Sequence, residues 1–474
     1  MTCYRDAVIF RRSPLAELEG AHRALAEGRY ETAFALLESA AKRPRARAAQ
    51  ARYWLHLAAV YALYGSDGLE NGAPALKAAV VTDPNLAADP LYQALFWEFA
   101  AHRGGAVSDV KRGLRLAAVD AEPLAAYHAS AALLNVGAAK SALRKLEGID
   151  PESLPTYLVW RRWSLLGQAH EALGDWDAAV LAYGRAVSMA TGPERSVELL
   201  SLATCLLELG RSDEVLDVVS GVDQQVLAPE DQATLHYVEG RAHLDAGNPN
   251  LALERFALAR TLDVDDGDAF SLDYATGQAL TAIGRYREAV SVLRRAIEVA
   301  PADHRAYAQH EAAFALTESD QLAEADTILG DVVSDPAYPH RAEAVADLAD
   351  VRFKLGEYEA AEALAEQALD MGATASACLV RGNLAYEYYR LDEAISWFEK
   401  AIGACANGDP VWLAAHQVLA DVFAQRGESG AERVLHHARS ALEYTDVASE
   451  WRLPLEQHVA WARGVLGGHD RLLN

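Results

Sequence analysis

Small residues recur through this chain at a nearly fixed step, and few folds can accommodate that. Gly167, Ala203, Gly240, Gly277, Ala313, Ala349, Gly382 and Ala420 form one series. Ala179, Val215, Ala252, Ala289, Ala325, Ala361, Ala394 and Ala431 form a second, and Ala186, Val222, Ala259, Ala296, Val332, Ala368, Ala401 and Ala438 a third. Most steps are 36 or 37 residues, with one of 33. A turn position keeps the same register at Gly174, Gly210, Gly247, Gly284, Asp320, Gly356, Tyr389 and Gly427. Such a period implies stacked copies of one small unit, each burying its apolar face against the next.

The stretch Ala269–Pro301 shows what the unit is. Tyr274, Gly277, Leu280, Ala289, Leu293 and Ala296 fall at three- and four-residue steps interrupted by Gly284. That spacing predicts two amphipathic helices with a short turn between them. Pro301 closes the unit, because proline cannot continue a helix and restricts the residue before it. Gly or Ala at the landmark positions lets helix backbones approach, while residues such as Leu280 and Leu293 fill the space on either side.

These landmarks resemble those of the tetratricopeptide repeat. The family pattern of Trp, two residues, Leu-Gly, two residues, Tyr stands here as Trp163, Leu166, Gly167 and His170, and again as Trp54, Leu57, Ala58 and Tyr61. The second-helix pattern stands as Ala394, Phe398 and Ala401. The resemblance is strong over about 160–440 and weaker over 14–150. The units here are mostly longer than the family's usual repeat, and only Ala269–Pro301 keeps the closing proline in place. The resemblance implies an all-α fold: a right-handed superhelical solenoid of about twelve antiparallel helix-turn-helix repeats with a C-terminal capping helix.

Taken in order, residues 1–13 read as a lead-in, and 1–150 as an irregular array of about four hairpins. The first turns at Gly28. The second turns over the long glycine-rich stretch Gly65–Gly72, the third at His102–Ala106 and the fourth at Asn135–Ala138. Asp150–Pro155, with a proline at each side, reads as a break between sub-arrays. Eight regular hairpins follow over 156–444, and 449–474 supplies a last helix and tail. The stripe Trp451, Leu455, Val459, Ala462 and Leu466 is expected to cap the open face of the last hairpin.

Charge is uneven along the 474 residues. Residues 1–150 carry a net of +2 and 151–474 a net of −27, giving −25 overall. So acidic a chain is not expected to bind nucleic acid generally or an anionic membrane, because like charge repels phosphate. A basic knot of Lys42, Arg43, Arg45, Arg47 and Arg52 marks the first inter-unit turn. Cys3, Cys205, Cys378 and Cys405 form no CxxC pair, which fits reduced thiols in a cytoplasmic protein. The N-terminal stretch has neither the apolar length of a membrane span nor the form of a signal peptide.

Catalytic constellations are not legible. GAAKSAL at Gly137–Leu143 lacks the glycine before the lysine that a phosphate loop needs, and no strand precedes it. His436 and His437 are adjacent, so on a helix they point about 100° apart and cannot share a metal. In the Val159–Trp163 stretch, Trp163 reads as a packing residue with Arg161 and Arg162 on exposed faces. No cofactor or metal is expected, and the chain is not expected to be an enzyme.

In proteins of this family the first helices line a concave face that holds a peptide or partner helix, and that resemblance makes those helices the expected functional surface. Helical periodicity places Arg161, Gln168 and Glu171 there, then Thr204 and Glu208, then Tyr237, Arg241 and Asp245. Tyr274 and Gln278 follow, then His310, Phe314 and Glu318, then Asp350, Phe353 and Lys354, then Asn383, Tyr386 and Glu387, and finally Asp421 and Gln425. Aromatics mixed with spaced carboxylates suit a basic protein or peptide partner. The carboxylate clamp of some family members is not expected, since Asp350 and Asp421 flank Asn383 where cations would be needed. The main expectation is therefore a non-enzymatic interaction scaffold. Ligand sensing of the kind found in bacterial regulators, and self-assembly through the terminal segments, stand as alternatives.

Overall fold

The structure is a computed structural model that describes residues 16–43, 46–262, 266–445, 449 and 451–472. The lead-in over 1–13, Cys3 and Arg45 lie outside the described residues. Helices and short 3₁₀ turns are the only regular elements among those described. The chain packs as two compact units, Met1–Asp263 and Val264–Asn474.

The first unit contains seven helix pairs: α1 (Ala16–Ala26) with α2 (Tyr30–Lys42), α3 (Arg47–Ala62) with α4 (Gly65–Thr82), α5 (Pro90–His102) with α6 (Val107–Leu116), and α7 (Pro123–Asn135) with α8 (Ala139–Glu147). The remaining pairs are α9 (Thr156–Glu171) with α10 (Trp176–Met189), α11 (Pro193–Glu208) with α12 (Ser212–Val219), and α13 (Pro229–Asp245) with α14 (Pro249–Arg260). The second unit contains α15 (Asp266–Ala282) with α16 (Tyr286–Val299), α17 (Arg305–Glu318) with α18 (Leu322–Ser334), α19 (Arg341–Lys354) with α20 (Tyr358–Met371), α21 (Thr374–Glu387) with α22 (Leu391–Gly403), and α23 (Pro410–Ala424) with α24 (Ala431–Tyr444). A last helix, α25 (Arg452–Leu472), packs on α24 and α23.

The landmark series explains the packing. Of its three positions in each regular unit, only Val222 is not buried. In four units the side chain that the second helix lays over the first-helix landmark leaves no room for a Cβ. A Cβ on Gly167 would lie 2.7 Å from the Tyr183 ring, on Gly240 2.4 Å from Phe256, on Gly277 2.4 Å from Leu293, and on Gly382 2.5 Å from Phe398. Those approaches are closer than a carbon atom permits, so glycine is required at these four positions. In the unit of Ala349 the equivalent second-helix residue is Ala365, also fully buried, and the extra methyl fits.

The turns share one backbone device. All eight turn residues have positive φ, from 57° at Tyr389 to 80° at Gly356. Asp320, at 65°, and Tyr389 adopt this left-handed conformation without being glycine, which costs each about 1–2 kcal/mol locally. The repeat geometry holds them there. Tyr389 stays 85% exposed, so no burial of its ring offsets that cost.

Two sequence expectations are corrected by packing. The Gly65–Gly72 stretch is the start of α4, not a loop. Its glycines serve close approach: a Cβ on Gly68 would sit 1.8 Å from the Tyr61 carbonyl oxygen, and one on Gly72 2.6 Å from the Phe99 ring. Arg161 and Arg162 do not project from exposed faces. Arg162 is buried and its Nε donates to the Leu146 carbonyl at 3.0 Å, while the Arg161 side chain keeps only 12% of its surface.

The reason is a long-range contact. Helix α1 packs against α9, and one buried cluster runs from Leu18 to Ala182 through Ile149 and Leu154. The His22 and Tyr157 rings lie 5.2 Å apart. Arg161 Nη2 donates to the Tyr30 hydroxyl at 3.2 Å, and that hydroxyl donates to the Glu194 carboxylate.

The last helix caps as its stripe implies at three positions. Leu455, Val459 and Ala462 are buried and Leu466 is partly so, but Trp451 is 50% exposed and stands apart from that seam.

Candidate functional site

In the second unit the first helices α17, α19, α21 and α23 each offer the residue just after the small landmark. Those residues are Phe314, Asp350, Asn383 and Asp421, and all four line one cavity of about 460 Å³. A position repeated once per hairpin projects the same way from every first helix, so the period itself assembles the wall. Leu379, Val380, Val411 and Val418 make it apolar, and Trp451 adds an aromatic face from the segment before α25. Glu318, Asp347 and Lys354 bring further charge.

The charges are tied to one another. Lys354 Nζ lies 2.9 Å from Asp350 Oδ2 and 3.4 Å from Glu318 Oε1. Burial holds the Asp350 carboxyl above its ordinary range even beside Lys354. On Lys354 burial works against the charge, but Asp350 and Glu318 together raise its pKa. The ammonium is therefore a neutralising bridge inside the wall, and the carboxylates exceed the cations. Asp421 Oδ1 is met by His458 Nε2 at 2.6 Å. Gln425 Nε2 donates to the Tyr386 hydroxyl.

A second cavity, of about 340 Å³, adjoins the first and shares Phe314 and Asp347 with it. Tyr274 of α15, Tyr307, His310 and Glu311 of α17, Tyr338 and His340 of the turn before α19, and Glu343 of α19 complete its lining. His310 Nδ1 lies 2.9 Å from the Tyr338 hydroxyl and its Nε2 lies 2.9 Å from Asp347 Oδ2, which fixes the ring between them. The Tyr307 and Tyr338 rings meet at 81° with centroids 5.2 Å apart. Burial pushes the Glu311 carboxyl up, opposed by a hydrogen bond from Thr281 and by His310.

Of the residues that periodicity placed on this face, the cavities gather Tyr274, His310, Phe314, Glu318, Asp350, Lys354, Asn383 and Asp421. Phe353 instead packs on Tyr358, with ring centroids 5.6 Å apart, and Gln278 and Glu387 line neither cavity. In the first unit the corresponding residues are largely engaged within the fold. The Tyr237 ring lies 6.1 Å from Phe256, Arg241 pairs with Asp245 at 3.7 Å, and Glu171 accepts from the Tyr183 hydroxyl at 2.7 Å. Thr204 Oγ1 donates to its own helix at Leu200, while Gln168 and Glu208 are exposed.

Sequence reasoning missed Tyr307, Glu311, Tyr338, Glu343, Asp347, Gln417 and Trp451. Tyr307 stands three residues before His310 and Asp347 three before Asp350, so extending the helical face by one turn toward the N-terminus would have found both, and a second turn would have reached Glu343. Tyr338 lies in a turn and carries no periodic signal. Among the described residues no group of three His, Cys, Asp or Glu could hold a metal ion, and no helix is long and apolar enough to cross a membrane. Cys205 and Cys378 are buried and Cys405 half-buried, all as free thiols.

Comparison with known proteins marks parts of the array. Tetratricopeptide-repeat profiles match residues 163–196, 237–304 and 346–410. No curated protein sequence matches the chain. A tetratricopeptide repeat protein from Parabacteroides merdae is similar at 18% identity and a TM-score of 0.41, covering 54% of this chain and 97% of its own. The Cut9-Hcn1 hetero-tetramer of the APC/C is similar at 12% identity and a TM-score of 0.42, covering 96% of this chain and 99% of its own. The TPR-like repeats of a putative kinesin light chain from Podosopora anserina match at 21% identity and 0.33, covering 39% and 98%.

Proposed function

We propose, from the premise that the chain is a tetratricopeptide-repeat protein, that its second unit holds an extended segment of a protein partner against the first-helix face. Tetratricopeptide arrays are generally non-enzymatic scaffolds for protein–protein interaction. One observation carries the finer reading. Four successive first helices place Phe314, Asp350, Asn383 and Asp421 around a single cavity with an apolar lining and excess negative charge. An extended chain can meet such a wall once per hairpin, gaining affinity from many modest contacts around a few aromatic anchors. Phe314 and Trp451 are the exposed anchors here, at 42% and 50%.

The carboxylates favour a basic partner and act mainly through steering, so binding weakens as salt rises. Asp350 and Asp421 on either side of Asn383 oppose capture of a free C-terminal carboxylate. The free thiols Cys205, Cys378 and Cys405 support a cytoplasmic setting.

The test is a random peptide library panned on the purified chain, followed by anisotropy titration of the selected peptides. Enrichment of Lys, Arg and apolar residues is expected, with affinity reduced about tenfold or more by Phe314→Ala combined with Trp451→Ala. Peptides that bind the double variant as well as the parent would remove the groove from consideration.

A further inference from the structure

We propose that the smaller cavity, between α15, α17 and α19, receives an arginine side chain of the bound segment, its guanidinium set against the tyrosine rings and taken by Glu311, Glu343 and Asp347. The inference rests on the groove reading above and names one anchor within it.

The cavity has two components that rarely serve solvent alone. Tyr274, Tyr307, Tyr338 and Phe314 supply aromatic walls, and three carboxylates stand among them. No lysine or arginine lines it: Asp347 is met by His310 and Glu311 by Thr281, but no permanent cation stands among the three carboxylates, unlike the neighbouring cavity where Lys354 bridges Asp350 and Glu318. The only basic groups of the lining are His310 and His340. His310 is engaged at both ring nitrogens, by Tyr338 and Asp347, and His340 is exposed with its ring 5.9 Å from Tyr307.

Arginine fits this lining better than lysine. A guanidinium is planar and weakly hydrated, so it can lie on an aromatic ring and present several donors to carboxylates at once, whereas an ammonium holds its water more tightly. Tyr307 and Tyr338 meet nearly at a right angle, forming an aromatic corner, and Asp347 extends from that corner into the larger cavity. A peptide with arginine here therefore continues past Phe314 along the same face.

The experiment uses the full chain and N-acetyl-L-arginine amide, with the citrulline and lysine analogues as matched probes, followed by saturation-transfer NMR. Citrulline keeps the shape of arginine but carries no charge. Arginine amide should bind roughly tenfold or more tightly than citrulline amide, the size of a good charge-assisted pair. Tyr307→Ala and the paired substitution Glu311→Gln with Asp347→Asn should each remove that preference, with circular dichroism confirming that the variants stay helical. Equal binding of arginine and citrulline, or a preference that survives both variants, overturns the site. The groove reading fails separately, if panned peptides ignore Phe314→Ala with Trp451→Ala while arginine amide still binds.

Discussion

The two units use one hairpin in opposite ways. In the first, the face of α9 is sealed: Arg161, Tyr157 and Tyr30 meet α1 and Glu194, and the charged groups find partners inside the protein. In the second, the equivalent faces of α17 to α23 stay open around a cavity of about 460 Å³. The repeat does not decide between these outcomes, because both faces carry aromatics and carboxylates on the same spacing. What decides is whether another element of the fold reaches that face. Where α1 and α2 cover the face, side chains suited to binding become structural; where only Trp451 and His458 reach it, a cavity stays open.

The sharpest test of that contrast lies within the second unit. Phe398 is fully buried on α22 and covers Gly382, so Phe398→Ala should cost about 3–5 kcal/mol in urea denaturation. Phe314, 42% exposed, should cost under about 1 kcal/mol as Phe314→Ala while peptide binding falls. A large stability loss from Phe314→Ala would mean that this face is packed, not open.

Next come the two cations. Arg161→Ala should destabilise the first unit by about 3 kcal/mol, because it leaves Glu194 and the Tyr30 hydroxyl facing each other without their common partner. Lys354→Ala, at a site 37% exposed, should cost under about 1 kcal/mol. Hydrogen exchange over α1 and α9 reads the first and over α19 the second. Similar losses would erase the distinction.

A smaller effect is pH-dependent. Burial raises the Glu198 carboxyl to about 7, opposed by a hydrogen bond from Ser164 and by Arg161. The folded chain therefore keeps a proton that the unfolded chain releases above about 4.3, the ordinary glutamate value. This group's contribution to stability is full below that value, falls as pH rises toward 7, and is flat beyond. Glu198→Gln should match the parent near the lower end and exceed it by about 1–3 kcal/mol above pH 7. Denaturation midpoints across that range check it; a parallel shift at every pH would assign the effect to something other than titration.

The sequence made the repeat legible because its signals are local. Landmark positions needed small residues wherever the second helix brought Tyr183, Phe256 or Phe398 over them, and turn positions needed a left-handed residue. The register held at Asp320 and even at Tyr389, where the residue type alone argued against that conformation. Non-local packing was not legible. Nothing near Arg161 announces that Tyr30 at the start of α2, more than a hundred residues earlier, will meet it. Gly68 and Gly72 read as loop formers because their actual reason, the Tyr61 backbone and the Phe99 ring, lies on other helices. Trp451 matched the periodicity of the cap and still lines the cavity, since it precedes the helix whose period it seemed to share.

The contact between α1 and α9 has a mechanical meaning. In the second unit every substantial helix contact joins elements one or two places apart, so hairpins can leave one at a time under tension. Each would release some 36 residues, about 120 Å of extended chain. At the other end α1 packs on α9, and the pairing of Tyr30, the first residue of α2, with Arg161 closes a loop across a separation of 131 residues. Force applied to α1 loads that closure before any of the hairpins it encloses can peel away. Extension should therefore be graded from the C-terminal side and begin from the N-terminal side with one higher threshold: a spring fitted with a clasp.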